Sequence, residues 1–127
     1  MEYSYHKKSP MPFGETLDKI KQELPKEGFG VLSEIDVTKT MANKLHVQIR
    51  PYTILGVCNP PFAYQALSIE KEIGLMLPCN IIVYQDDEVV IVAAIKPTVM
   101  MTQIGNSKLI SIAEQVQEKL TKIIKSL

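Results

Sequence analysis

Residues Ile81-Ile82-Val83-Tyr84 and Val89-Val90-Ile91-Val92-Ala93-Ala94-Ile95 flank the polar tetrapeptide Gln85-Asp86-Asp87-Glu88. Two β-branched runs on either side of a short charged turn predict a β-hairpin. A sheet with one wet face should alternate apolar and polar side chains. Neither run does so, and both are apolar on both faces. A two-layer monomer would therefore expose an apolar patch of roughly several hundred Å², the kind of surface that marks an interface. Two outcomes are open: a homodimer through the apolar sheet face, or cover within the chain by a second layer, loops or the C-terminal helix.

The remaining elements follow from periodicity and punctuation. Tyr3 to Lys7 alternates as a short strand before Ser9-Pro10-Met11-Pro12. Pro12 suits the first turn of a helix, where its missing N–H would lack a partner anyway. Phe13, Leu17, Ile20 and Leu24 then form one apolar stripe, stopped by Pro25 and Gly28. Gly30 to Ile35 reads as a strand, and Asp36 can cap a short helix through Met41 and Leu45. Tyr52 to Val57 is a third strand, and Phe62 to Ile73 looks helical up to the breaker Gly74. Thr98 to Gly105 reads as a Met-containing loop, a flap over a pocket. Asn106 or Ser107 then caps a long helix with the stripe Leu109, Ile112, Val116, Leu120, Ile123 and Leu127. The order is β-α-β-(α)-β-(α)-β-β-α, which predicts an α+β fold: a mainly antiparallel sheet with helices on one face.

A chain of 127 residues fits a single domain over 1–127, since domains usually run about 100–200 residues. Fourteen basic and fourteen acidic side chains leave a net charge of zero, and the pI is about 6.7. A nucleic-acid or anionic-membrane partner would call for a basic excess, so neither is expected. The start of the chain has no apolar signal segment, and no apolar run approaches the ~20 residues of a spanning helix. A cytoplasmic protein with reduced thiols is the expectation.

Three strings carry a family resemblance. They are Glu27-Gly28-Phe29-Gly30-Val31; Ile54-Leu55-Gly56-Val57-Cys58-Asn59-Pro60 followed by Ala63 and Leu67; and Ile73-Gly74-Leu75-Met76-Leu77-Pro78-Cys79-Asn80-Ile81-Ile82-Val83-Tyr84. Together they resemble the bacterial and archaeal family known as domain of unknown function 302, over nearly the whole chain. The resemblance implies a TATA-box-binding-protein-like arrangement, with one strand and helix, then four strands and a closing helix. It brings no established activity.

Chemistry centres on the two cysteines. If the strands ending at Cys58 and starting at Cys79 run antiparallel, as the resemblance implies, both thiols share one edge of the sheet beside Asn59 and Asn80. If they run parallel, the thiols lie at opposite ends. The antiparallel case permits a redox dithiol, a soft-metal site or a polar floor for a ligand. No Cys-x-x-Cys is present, and a zinc site needs four ligands, usually three or four from the protein. His46 is a weak third candidate ligand beside Cys58 and Cys79. Met76, Met100 and Met101 with the thiols could bind copper(I), although methionine far more often fills core gaps and buried cysteine far more often acts as a small hydrophobe. Arg50, the sole arginine, suits an anion contact, against an ion pair with Glu34 or Asp36. Asp86-Asp87-Glu88 reads as a solvated hairpin tip. Phosphate-binding glycine loops and the Gly-x-Ser-x-Gly elbow are missing.

These residues favour a non-enzymatic small-ligand-binding or sensory module with candidate contacts at Cys58, Asn59, Cys79, Asn80 and Arg50, and no cofactor. One alternative is a thiol-based redox or metal-handling protein using Cys58 and Cys79; another is a purely structural or interaction domain. Charge is also segregated. Residues 51–95 hold one base and five acids, a balance of −4, and residues 96–127 hold five lysines and two glutamates, a balance of +3. The acidic middle and the basic C-terminal helix are expected to attract, within one chain or across a dimer.

Overall fold

The hairpin forms with its turn pulled to two residues. Asp86 pairs with Val89, and Asp87 takes the left-handed conformation, φ 55°, which aspartate tolerates better than most side chains. Around it the computed structural model, which describes residues 2–127, builds one antiparallel sheet. Its strands are β1 (Ser4–Lys8), β2 (Gly30–Asp36), β3 (Tyr52–Cys58), β4 (Cys79–Asp86) and β5 (Val89–Ile95), in the order β1-β5-β4-β3-β2. The most apolar strands, β4 and β5, thus lie inside the sheet, where both ladder edges are paired.

One face of this sheet carries Leu55, Val57, Ile81, Val83, Val92 and Ala94, all buried in the core. Helices α1 (Phe13–Glu23) and α5 (Lys108–Lys125) lie over it. From α1 and the turn after it come Ile20 and Leu24; from α5 come Leu109, Ile112, Val116, Leu120, Ile123 and Ile124. The periodic stripes read from the sequence supply all of these but Ile124, and their remaining members, Phe13, Leu17 and Leu127, pack partly buried against the core. The short helices α3 (Pro60–Ile69) and α4 (Pro97–Ile104) pack on α5. The fold is α+β, as expected.

Helix α2 (Val37–Leu45) leans on the β2–β3 end of the sheet. Asp36 caps it, Oδ1 accepting from the Lys39 N–H at 2.9 Å. Asp36→Ala is expected to cost about 1 kcal/mol, read as a lower urea midpoint.

Two elements differ from expectation. Helix α3 stops at Ile69, where Glu70 turns extended (φ −140°), and Lys71–Met76 winds as a separate 3-10 segment. That break drops Ile73 into the core, fully buried. Residues 98–104 are helix α4 rather than a loop. Pro97 starts it and left-handed Gly105 (φ 76°) ends it, the usual helix punctuation. Its first turn is capped from a distance: Gln117 Oε1 on α5 accepts from the Thr98 N–H at 3.1 Å and the Thr98 hydroxyl at 2.7 Å.

The second face holds Tyr52, Ile54, Ile82, Tyr84, Ile91, Ala93 and Ile95, by strand alternation and register. None of them belongs to the core cluster or packs against it. Tyr52 and Tyr84, paired directly across β3 and β4, stack with centroids 5.5 Å apart.

Candidate functional site

Strands β3 and β4 are antiparallel, and Val57 pairs with Cys79. The condition set by the sequence is met: Cys58, at the end of β3, and Cys79, at the start of β4, reach the same end of the sheet. Both are free thiols. They line a cavity of about 50 Å³ closed by Phe29, Phe62, Ala63, Met101, Ala113 and Val116, among others. Small side chains on α3 and α5 (Ala63, Ala66 and Ala113) leave this space between the helices and the sheet edge. Burial, with Cys58 nearby as a lesser cause, pushes the Cys79 thiol up to about 11. Burial also raises Cys58.

Asn59 is the cavity's other polar group and is itself buried, 7% exposed. Its Nδ2 donates to the Glu27 carbonyl at 3.0 Å, tying the start of α3 to the turn ahead of β2. That turn depends on Gly28, left-handed at φ 87° and so close that an added Cβ would meet Asn59 Nδ2 at 3.1 Å. Asn59 Oδ1 accepts no hydrogen bond among the described residues. Replacing Asn59 by alanine strips the Glu27 carbonyl of its donor; about 1–2 kcal/mol should be lost, measured by urea denaturation.

Behind Met101 lies an outer cleft of about 290 Å³ that reaches Met76, Asn80 and Met100. Leu77, Cys79, Pro97 and Met101 border both spaces, so α4 and the segment before β4 form the partition. The segment expected to be a flap over a pocket therefore does wall one, as a helix. Met101 enters the sequence reading only as a copper(I) candidate or core filler, and Ala113 and Val116 do not stand out there, since small and apolar residues on a helix read as ordinary core.

Arg50 and His46 stand apart from the thiols. Arg50 precedes β3, so about 20 Å of strand separates it from Cys58 at ~3.3 Å per residue. The ion pair expected with Glu34 or Asp36 does not form: Arg50 reaches Asp87 Oδ1 at 3.0 Å and the Asp87 carbonyl at 3.2 Å. Pairing of β3 with β4 brings the hairpin turn beside Pro51, whose carbonyl accepts from Gln85 N–H. Glu34 instead pairs with Lys21 on α1 at 2.6 Å. His46 is the exposed, left-handed cap of α2. No group of three His, Cys, Asp or Glu side chains is placed to hold a metal among the described residues. Among the described residues, no lysine of α5 pairs with an acid of the 51–95 segment: Lys119 and Lys122 both reach Glu27, at 3.9 and 3.2 Å.

An antiparallel five-stranded sheet, helices on one face and a thiol-walled apolar cavity at the sheet end define a small α+β protein with a recess bordered by α3, α4 and α5. The chain belongs to the family Domain of unknown function DUF302, whose model matches residues 5–127. It is similar to a solved structure, the uncharacterized conserved protein DUF302 from Bacillus stearothermophilus, with 29% identity, 98% of each chain covered and a TM-score of 0.93. No functionally curated protein matches the chain. Among the described residues, no helix is long and apolar enough to cross a membrane.

Proposed function

We propose that this chain is a non-enzymatic binding module whose cavity at Cys58, Asn59 and Cys79 admits a small, mostly apolar ligand carrying one hydrogen-bond donor. The observation that carries this reading is an apolar recess whose wall includes Asn59, with Oδ1 accepting nothing from the chain. About 50 Å³ is under two waters' share of liquid volume, at ~30 Å³ each. A larger guest enters by displacing Met101 and α4, which joins the recess to the 290 Å³ cleft behind it. Sites of this kind, apolar with a few placed polar groups, bind and orient small molecules.

A redox or metal role for the thiols fits less well. The thiolate is the nucleophile and the metal ligand, and a thiol pushed up to about 11 is ionised only at about one part in ten thousand at pH 7. The reading places the protein in the reducing cytoplasm, where both thiols stay free.

Phenol and toluene, equal in shape but differing by one donor, test it. Phenol is expected to raise the melting temperature saturably and to shift amide resonances around Asn59 and Cys79, with toluene weaker. Ala113→Val, which adds two methyl groups to the recess, should abolish both effects while the protein stays folded. Binding of neither probe at millimolar concentration, or unchanged binding by the variant, overturns the proposal.

A further inference from the structure

Among the described residues, none on the second face of the sheet belongs to the core cluster or packs against it. Ile54, Ile82, Ile91 and Ile95 sit there half-buried with Tyr52 and Tyr84, outside the core cluster. Beside them β2 is exposed along its whole length, with Leu32 at 67% and Ile35 at 46%. Leu45, Val47 and Ile49, at the end of α2 and in the link to β3, are exposed as well. We infer that this face is a homodimer interface, packed against the same face of a second copy of this chain.

Three observations choose the second copy. The first is area. Five strands at ~4.8 Å spacing, about seven residues long at ~3.3 Å each, span ~500 Å². Two copies would bury ~1,000 Å² from the sheets alone, the threshold for a specific interface, and exposed Ile35, paired with Ile54, belongs to this face. The second is charge. By register the charged side chains on this face are Asp86 of β4 and Lys8 of β1, both toward its hairpin end; its centre, at Ile54, Ile82 and Ala93, has none, so no ionised group is stranded there by burial. A lipid or nucleic-acid surface would need a basic rim; here the hairpin tip is Asp86-Asp87-Glu88, and the neighbouring Arg50 is already held by Asp87. The third is net charge: at zero, two copies meet without long-range repulsion. Face-to-face sheets packed ~10 Å apart with interleaved aliphatic side chains are a standard way to bury such surfaces.

Sedimentation at micromolar concentration should show a species of twice the 14.3 kDa chain mass. Ile82→Lys, at the centre of the face, should run as a folded monomer with a cooperative melt. Should that variant fail to fold, Ile35→Lys decides. Its side chain is already 46% exposed, so the monomer loses no core contact, and dimerisation should weaken at least about ten-fold. A wild-type chain that sediments as a monomer overturns the inference. So does a folded Ile82→Lys or Ile35→Lys protein that dimerises unchanged, or a wild-type monomer that instead binds neutral phosphatidylcholine vesicles.

Discussion

Gly56→Ala should destabilise the protein by about 2–3 kcal/mol, the upper part of the usual overpacking range. The cause is space, since no left-handed backbone is involved. A Cβ on Gly56 would be driven into Ser33 Oγ on β2 and would stand 2.9 Å from Cγ of Pro78. Serine can rotate its hydroxyl away; a pyrrolidine ring joined directly to Cys79 cannot. Ser33 itself pairs with Gly56, just past the point where the β2–β3 register slips between Val31 and Ser33. Urea denaturation should give a lower midpoint with an unchanged slope. Adding Ser33→Ala to Gly56→Ala should recover only part of the loss, and adding Pro78→Ala more of it, because those neighbours share one contact and their effects do not add. A cost below about 0.5 kcal/mol, the level of an ordinary surface change, would show that β2 and Pro78 do not close over β3. Displacing Pro78 also moves the start of β4, so Cys79 in Gly56→Ala should react faster with a thiol reagent than in the wild type.

Much of this architecture is legible because local pattern and tertiary need coincide. Ile20, Leu24, Leu109, Ile112, Val116 and Leu120 recur at helical spacing and are the residues that the sheet buries. Asp36 precedes its helix and caps it. The misses have non-local causes. Thr98, Val99 and Thr102 are weak helix formers, and α4 depends on Gln117, nineteen residues away, for its first-turn cap. Arg50 finds Asp87 only because β3 pairs with β4, and no spacing along the chain announces that turn. For the site, Cys58 and Cys79 were visible as motifs and their meeting followed from strand direction. The cavity was not visible, since its volume comes from Ala63, Ala66 and Ala113 on two different helices, residues that read as unremarkable one at a time. Asn59 was legible as a polar group at a strand end. Its split role, donor to Glu27 with a free acceptor, required the turn at Gly28 to be in place.

Between pH 9 and pH 11 the folded protein should lose about 2–3 kcal/mol of stability through Cys79. The folded thiol is raised to about 11 from its ordinary 9.0, chiefly by burial. Below pH 9 both folded and unfolded chains keep the proton, and the stabilisation is fully present. As pH rises past 9 the unfolded thiol ionises while the buried one does not, so unfolding gains; the loss is complete once pH passes the folded value. Two units at 1.36 kcal/mol each set the size. Cys58 and Tyr52 are raised in the same direction, so the wild-type slope includes them, and the decisive measurement is the difference between wild type and Cys79→Ala. That variant should show a flatter profile across this window, whatever it loses in packing at pH 7. A Cys79→Ala profile as steep as the wild type's would mean that the thiol is not held in an apolar wall. The sign also separates the readings of the site. A thiol kept ionised for redox or metal chemistry has a depressed value, and its contribution would grow as pH rises toward 9. An apolar wall that keeps both thiols protonated makes stability fall with alkali instead.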